Sequence, residues 1–125
     1  MRAALLTAVM TASAVPAGAT DIDPYWLSEV PSEYLGRWNV NAKACTPFDG
    51  RQRLVIEPNR LGVGGDLFRI SYVGWSQEGG IVISSEYAGT AKPSWKRTDF
   101  FRIEKGGQVL LAGAITRPTR RVRCR

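Results

Sequence analysis

The sequence predicts an all-β domain, a small antiparallel barrel of eight strands, on three observations. Turn-forming residues recur at short intervals from residue 35 onward, the runs between them are rich in β-branched and aromatic side chains, and no run has a helical period. Many short antiparallel strands hide their edges by closing into a barrel or by packing as a sandwich, and we favour the barrel. The predicted strands cover residues 36–44, 53–57, 61–63, 67–74, 81–87, 95–104, 108–112 and 120–124.

Residues 1–19 have the layout of a secretory signal peptide. A positive start at Arg2 is followed by an uncharged, mostly apolar run and by an Ala-x-Ala pattern that ends at Ala19, so we expect export and cleavage before Thr20. The apolar run is shorter than the roughly 20 residues of a transmembrane helix, and we expect no transmembrane segment. The rest of the chain divides into a lead-in over residues 20–34 and the barrel domain over residues 35–125.

The charge of the chain is positive and unevenly spread. The formal charge is +6 and falls to +5 when the leader, which contains Arg2, is removed. Acidic residues dominate before Arg37. The C-terminal arginines are Arg117, Arg120, Arg121, Arg123 and Arg125. This pattern indicates either an ordinary solvated face or a surface for an acidic partner or an anionic envelope polymer. Nucleic acid is not an expected partner in an export compartment.

The two cysteines, Cys45 and Cys124, are expected to form a disulfide, because exported proteins fold in an oxidising compartment. The bridge would tie the first predicted strand to the last. It would close a loop of roughly 80 residues, which the chain-entropy model values at about 4.5 kcal/mol of stability. A redox or metal role is disfavoured, since the chain has no Cys-x-x-Cys pair and no histidine.

Alternation along the strands assigns side chains to the two faces of the barrel wall. In the first strand, the alternation places four side chains on the inner face: Trp38, Val40, Ala42 and Ala44. In the last strand it predicts Val122 and Cys124 inside and three arginines outside, Arg121, Arg123 and Arg125. Residues Phe68, Ile70 and Tyr72 share one face. The side chains expected to fill a narrow barrel are Trp38, Phe68, Tyr72 and Phe101.

Strand 95–104 presents a conflict, because alternation turns Arg97 and Asp99 inward with its apolar residues. Burying such a pair costs free energy unless both groups are fully bonded. We therefore expect either a bulge near Thr98 that re-aims the strand or a position near the barrel mouth where water reaches the pair.

The chain is poor in catalytic groups, and we predict that it is not an enzyme. It has no histidine, and so no histidine general base or triad. Its carboxylates lie mostly beside turns. The glycine-rich run at 62–65 lacks the lysine and the following helix of a phosphate-binding loop. We expect no catalytic residue, no metal site and no cofactor.

Aromatic side chains beside loops favour a binding function instead. The chain has four tryptophans and four tyrosines. Trp75 and Trp95 flank loops rich in Ser, Gly and Pro, which suits protein contact or stacking on a sugar ring. The alternative is that each indole plugs a barrel end. In the lead-in, we expect Trp26 or Leu27 to lie across one open end, and the alternative is a flexible tail that presents Tyr25 and Trp26 to a partner.

A short pattern marks both ends of the predicted barrel. It consists of Gly36-x-Trp38 on the first strand, Cys45 seven residues later, a strand such as 54–61 and the Arg123-Cys124 ending. In this pattern the chain resembles small exported barrels of alphaproteobacteria, over roughly residues 35–125. In outline it is similar to the lipocalin-like inhibitors of secreted metalloproteases and, more loosely, to periplasmic lysozyme inhibitors. The resemblance implies a lipocalin-like barrel, a periplasmic location and a protein partner.

We therefore predict a periplasmic, non-enzymatic inhibitor that occludes the cleft of a hydrolase. A basic protein suits an acidic or neutral peptidoglycan hydrolase better than a basic lysozyme, and a protease is the other target considered. The predicted contact residues are Trp75, Tyr87, Lys92, Ser94 and Trp95, with Tyr25 and Trp26 as a second set. One alternative is a carrier of a small apolar or envelope ligand, which an internal pocket of several hundred Å³ would favour. Another is a basic module that binds an anionic envelope polymer through the C-terminal arginines.

Overall fold

The computed structural model describes residues 3–4, 23–91, 94–113 and 116–125, and its strands close into one antiparallel barrel in chain order. The predicted all-β barrel is therefore confirmed. The eight strands are β1 (Gly36–Asn39), β2 (Leu54–Ile56), β3 (Arg60–Val63), β4 (Asp66–Trp75), β5 (Ile81–Tyr87), β6 (Lys96–Glu104), β7 (Val109–Ala112) and β8 (Thr119–Arg123). Short 3-10 turns cover Ser32–Tyr34, Ala42–Ala44 and Lys105–Gly107.

The predicted signal peptide lies, apart from residues 3–4, outside the described residues, and so does the predicted cleavage position before Thr20. Among the residues that the structure describes, no helix has the length and apolar character needed to cross a membrane.

The first strand is shorter than predicted because Asn39 redirects the chain. The amide of this buried residue donates hydrogen bonds to the carbonyl oxygens of Ala44, at 2.9 Å, and Asp49, at 2.7 Å. The chain therefore leaves the sheet after Asn39 and forms a 3-10 turn. The prediction that Val40, Ala42 and Ala44 face the interior is wrong, since all three follow the end of β1 and Val40 is exposed.

The interior is filled by large side chains from most of the wall. The largest fully buried apolar side chains are Trp38, Ile56, Leu61, Phe68, Ile81, Ile83 and Leu110. Phe101 is buried as well, as predicted. Tyr72 does not join this core, because a register shift between Ile70 and Tyr72 places it opposite Ser84 on the outer wall. The prediction for Tyr72 is therefore wrong: an irregularity in β4 reverses the alternation there.

The arginines of β8 point the opposite way to the prediction. Directly opposed residues of antiparallel strands share a face. Arg121 is opposite Leu110, and Arg123 is opposite Trp38. Because Leu110 and Trp38 are fully buried, both arginines lie on the inner face. Alternation within one strand shows which residues share a face, but it does not show which face is buried. The register with the neighbouring strands decides which set of residues faces the core.

The predicted disulfide between Cys45 and Cys124 is confirmed, and it lies on the outer wall. Cys124 follows β8, where its N–H donates to the carbonyl oxygen of Arg37 at 2.8 Å. By the same register, Val122 and Cys124 face outward rather than inward as predicted. The bridge thus fastens the loop of residues 40–50 to the seam where the last strand meets the first.

Arg123 explains why Gly36 and Trp38 occur together. Its guanidinium lies over the indole of Trp38, 4.2 Å from the ring centroid. Gly36 has a φ of 127°, and a Cβ atom there would lie 3.0 Å from Nη1 of Arg123. The same guanidinium donates to three backbone carbonyl oxygens, those of Leu35, Glu33 and Gly107, at 2.7, 2.6 and 2.9 Å. The Gly-x-Trp pattern therefore belongs to the architecture of the barrel.

Residues 23–34 of the lead-in cover one end of the barrel, which we call the lead-in end. They bury Val30 and Tyr34 there, and Leu27 packs partly against the same core. Of the two residues expected to cover this end, Leu27 does so, whereas Trp26 remains 58% exposed. The opposite end carries the described residues of four connections, 40–53, 64–65, 88–91 with 94–95, and 113 with 116–118, and we call it the loop end.

Candidate functional site

An ion pair lies on the inner face of β6, toward the loop end. Nε and Nη2 of Arg97 donate to the two carboxylate oxygens of Asp99 at 2.7 and 2.8 Å. The register between β5 and β6 is continuous, so the predicted bulge near Thr98 is wrong. The other predicted arrangement holds in outline: the pair points inward, and the side chains remain 28% and 16% exposed.

A second guanidinium, that of Arg121, shares this inner layer. Burial lowers the pKa of Arg121, with Asp99 acting against the shift and Arg97 adding to it. The Nε atom of Arg121 donates to the carbonyl oxygen of Gln52 at 2.8 Å. Ser85, opposite Arg97, is buried and its hydroxyl has no hydrogen-bond partner in the described part of the chain. We call the four residues Arg97, Asp99, Arg121 and Ser85 the inner polar layer.

Asp99 is the residue whose loss should most disturb the inner polar layer. The substitution Asp99→Asn would remove the one negative charge from a layer that holds two arginines, so we expect a loss of about 2 kcal/mol in unfolding free energy. The control is Glu104→Gln on the same strand, where an exposed carboxylate lies 3.7 Å from Arg102 and little change is expected. Urea denaturation of both variants measures the difference. Equal losses would contradict the inward placement of Asp99.

Three aromatic rings pack together near the inner polar layer. Phe68 makes edge-to-face contacts with Tyr87 and Trp95, at centroid distances of 5.8 and 5.4 Å. The guanidinium of Arg97 lies over the ring of Phe68 at 5.2 Å. Trp95 is 41% exposed. The indole of Trp95 thus packs against Phe68 and still exposes part of its surface to solvent at the loop end.

The lead-in end carries a second group of aromatic side chains, Tyr25, Trp26 and Trp75, which we call the aromatic rim. Tyr25 and Trp75 are 41% and 44% exposed. The lead-in pairs with the free edge of β4: the N–H of Leu27 donates to Val73 at 2.9 Å, and that of Trp75 donates to Tyr25 at 2.7 Å. Trp26 opposes Gly74 in this pairing, so it lies on the other face of the rim from Tyr25 and Trp75.

Asp23 fastens the aromatic rim to the barrel wall. Its carboxylate accepts hydrogen bonds from the hydroxyl of Tyr72 at 2.6 Å and from the N–H of Tyr25 at 2.8 Å. These bonds, that of Tyr72 first, lower the pKa of Asp23 below its ordinary value of 3.8. Folding lowers the pKa of Asp23, so the charged carboxylate holds these hydrogen bonds fully at a pH above the ordinary pKa of 3.8. Their stabilising effect is lost as the pH falls through the lowered pKa.

The substitution Tyr72→Phe should release this pKa shift. We expect the carboxyl group of Asp23 to titrate at a lower pH in the wild type than in the variant, because the hydroxyl of Tyr72 stabilises the charged form. An NMR titration of the Asp23 carboxyl carbon measures both midpoints. Ser71→Ala, a neutral change next to Tyr72, is the control and should leave the midpoint where it is. Identical midpoints in wild type and Tyr72→Phe would show that the hydrogen bond is not formed.

A groove of about 490 Å³ runs along the outer wall over β6 and β7, and we call it the outer groove. Its floor contains Leu111 and Phe100, a phenylalanine that is 46% exposed on the outer face. One side is the turn of residues 76–80, and Pro118 belongs to the other side. Arg102 also lines it.

The predicted contact residues do not form one site. Trp75 joins Tyr25 and Trp26 at the lead-in end, whereas Ser94 lies at the loop end with Tyr87 and Trp95. Lys92 lies outside the described residues. The first predicted set is therefore split between the two ends of the barrel. Its member Trp75 lies with the second set, Tyr25 and Trp26, and its other described members lie at the loop end.

Comparison of the chain with family models, with curated proteins and with solved structures found no match. Within the described ranges, no group of three or more His, Cys, Asp or Glu side chains is placed to hold a metal ion.

Two features of the surface and interior were not predicted from the sequence. Alternation along the strand predicts Arg121 on the outer face, and only its register with Leu110 brings it into the inner polar layer. The outer groove forms where two separate connections flank β6 and β7. A signal for it did exist: Phe100 occupies an outward position of a strand whose inward neighbour, Phe101, already fills the core.

Proposed function

We propose that the protein is a non-enzymatic inhibitor that binds an envelope hydrolase and occludes its active-site cleft. The target that we favour is a peptidoglycan hydrolase. The observation that carries the proposal is the aromatic rim. It projects Trp26 from one face and Tyr25 and Trp75 from the other, all more than two-fifths exposed. A projecting rim with aromatic side chains on both faces suits a cleft, because it offers contact to both walls. Tryptophan and tyrosine are the residues most enriched at binding hot spots.

The aromatic rim is held in place before any partner binds. Two backbone hydrogen bonds join the lead-in to β4, and the carboxylate of Asp23 ties it to Tyr72. A contact surface that is already ordered loses less conformational entropy on binding, which supports affinity. The positive charge of the chain, formally +5 without the leader, favours encounter with an acidic or neutral enzyme.

Two observations support this proposal over the alternatives. A carrier needs internal space, whereas the barrel centre is packed with side chains such as Trp38 and Phe68, and the outer groove lies outside the wall. A polymer-binding stripe needs the C-terminal arginines at the surface, whereas two of the five, Arg121 and Arg123, face inward and take no part in such a stripe.

Inhibition assays test the proposal. Purified protein in micromolar excess is mixed with a panel of peptidoglycan hydrolases and exported proteases, and the digestion of peptidoglycan or of a peptide substrate is followed. We expect inhibition of at least one hydrolase, weakened about tenfold or more by Trp26→Ala. Leu67→Ala is the matched control, since Leu67 is 41% exposed on the outer wall away from the rim.

Each outcome of the panel is informative. Activity that is unchanged for every enzyme would overturn the inhibitor proposal. Inhibition that is lost in Trp95→Ala and kept in Trp26→Ala would move the contact surface to the loop end. Inhibition that survives both substitutions would rule out both aromatic groups as the main contact.

A further inference from the structure

We propose that the outer groove binds a small amphipathic anion, namely an acyl chain that ends in a carboxylate. The groove lies on the outer wall over β6 and β7, whereas the aromatic rim is built on the lead-in and the end of β4. This inference therefore does not depend on the inhibitor proposal, and either one can fail without the other.

The size and lining of the outer groove fit a single chain. Its volume of about 490 Å³ lies within the range of roughly 300–1,000 Å³ that is usual for small-molecule sites. Phe100 and Leu111 make its floor apolar, and Pro118 adds an apolar side. The turn of residues 76–80 stands on the other side, so a linear apolar ligand would be flanked on two sides.

Phe100 is the large apolar residue of the groove that a bound ligand would cover. It stands opposite Val82 on the outer wall and is 46% exposed, although the neighbouring Phe101 already supplies an aromatic ring to the core. An exposed phenylalanine on a floor that continues into Leu111 makes a contiguous apolar surface, and such surfaces mark sites of binding. Packing an acyl chain against this floor removes that surface from water.

The charge beside the outer groove selects an anionic head group. The strand register places Arg102, Leu111 and Arg120 side by side on the outer wall of β6, β7 and β8. Arg102 is 3.7 Å from the carboxylate of Glu104, and neither Arg120 nor Arg117 takes part in an ion pair among the described residues.

The acidic residues nearby do not cancel this charge. Arg102 lines the groove, Arg120 stands beside Leu111, and Arg117 lies in the chain between two lining residues, Thr116 and Pro118. Glu78 is the one acidic side chain among the described residues that line the groove, and Glu104 is already beside Arg102. These three arginines exceed the two carboxylates by one charge. A carboxylate head placed between Arg102 and Arg120 would complete the charge balance, and the chain would then extend over Phe100 toward the loop end.

Three probes with the same chain and different heads test the proposal: decanoate, decanol and decyltrimethylammonium, each below the concentration at which it forms micelles. Binding is followed by NMR on the full protein. We expect decanoate to shift the signals of Phe100, Leu111 and Gly113 in a saturable way. We expect decanol to bind several-fold more weakly and the cation more weakly still.

Variants with matched controls locate the site. Phe100→Ser should weaken decanoate binding about tenfold or more, whereas Leu67→Ser, which removes a similarly exposed apolar side chain elsewhere on the wall, should not. The double variant Arg102→Gln, Arg120→Gln should weaken decanoate several-fold and leave decanol unchanged. Its control is Arg60→Gln, Arg69→Gln, an opposed arginine pair on β3 and β4 with the same loss of charge.

Several results would overturn the proposal. Equal affinity for the cationic and anionic probes would show that the arginines select nothing. Shifts confined to the aromatic rim, or equal weakening by Leu67→Ser and Phe100→Ser, would show that the groove is not the site. Binding to vesicles of anionic lipid with no binding of monomeric decanoate would indicate a membrane contact instead.

Discussion

Removal of the disulfide should cost about 4 kcal/mol of unfolding free energy and lower the melting temperature by roughly 20 °C. Cys45 and Cys124 are 79 residues apart, so the bridge restricts nearly the whole of the unfolded barrel domain. The bridge also supports a weak seam, because β1 and β8 share two residue pairs, Trp38 with Arg123 and Asn39 with Val122. We therefore expect removal of the disulfide to weaken mainly the pairing of β1 with β8 that closes the barrel.

The double variant Cys45→Ser, Cys124→Ser avoids a free thiol and is compared with the wild type before and after reduction. Circular dichroism during heating and in urea measures the stability of each form. The reduced wild type should match the double variant, and the double variant should not respond to reductant. A difference below about 1 kcal/mol between oxidised and reduced protein would mean that the seam holds without the bridge.

The substitution Arg123→Ala should cost about 3 kcal/mol, an unusually large effect for an arginine. The side chain donates to three backbone carbonyl oxygens and covers the indole of Trp38, so its loss removes several charge-assisted hydrogen bonds and a cation–π contact. The last strand would lose its side-chain hydrogen bonds to the residues that precede β1 at the lead-in end.

Arg120→Ala is the matched control for Arg123→Ala. It removes the same side chain from the same strand, but Arg120 is exposed on the outer wall opposite Leu111, so we expect a change within about 0.5 kcal/mol. Urea denaturation of the two variants compares them directly. If both arginines gave small and equal effects, the inward placement of Arg123 would be wrong.

Much of the fold followed from local patterns. Turn residues and short β-branched runs were enough to place eight strands, because turn chemistry and strand propensity act over a few neighbouring residues. The pairing of Cys45 with Cys124 followed from there being two cysteines in the chain. The end of β1 did not follow, because Asn39 ends it through hydrogen bonds to Ala44 and Asp49, which are brought close by the folded loop.

The candidate site was less accessible to prediction. The sequence indicates Trp75 as an aromatic residue beside a loop and Trp26 as part of the lead-in, but their meeting in the aromatic rim depends on the lead-in pairing with the free edge of β4. Arg97 and Asp99 were expected inside from alternation. Their neighbour Arg121 was not, since the phase of β8 depends on its register with β7.

The sequence by itself determined the fold class, the number of strands, the disulfide and the alternation within each strand. Each of these depends on near neighbours along the chain or on the count of one residue type. Only the tertiary structure decided which face of β8 carries the arginines, where β4 reverses its alternation and which aromatic side chains meet at an end of the barrel. The physical reason is that register is a relation between strands, and a shift of one residue exchanges the inner face of a strand for the outer one.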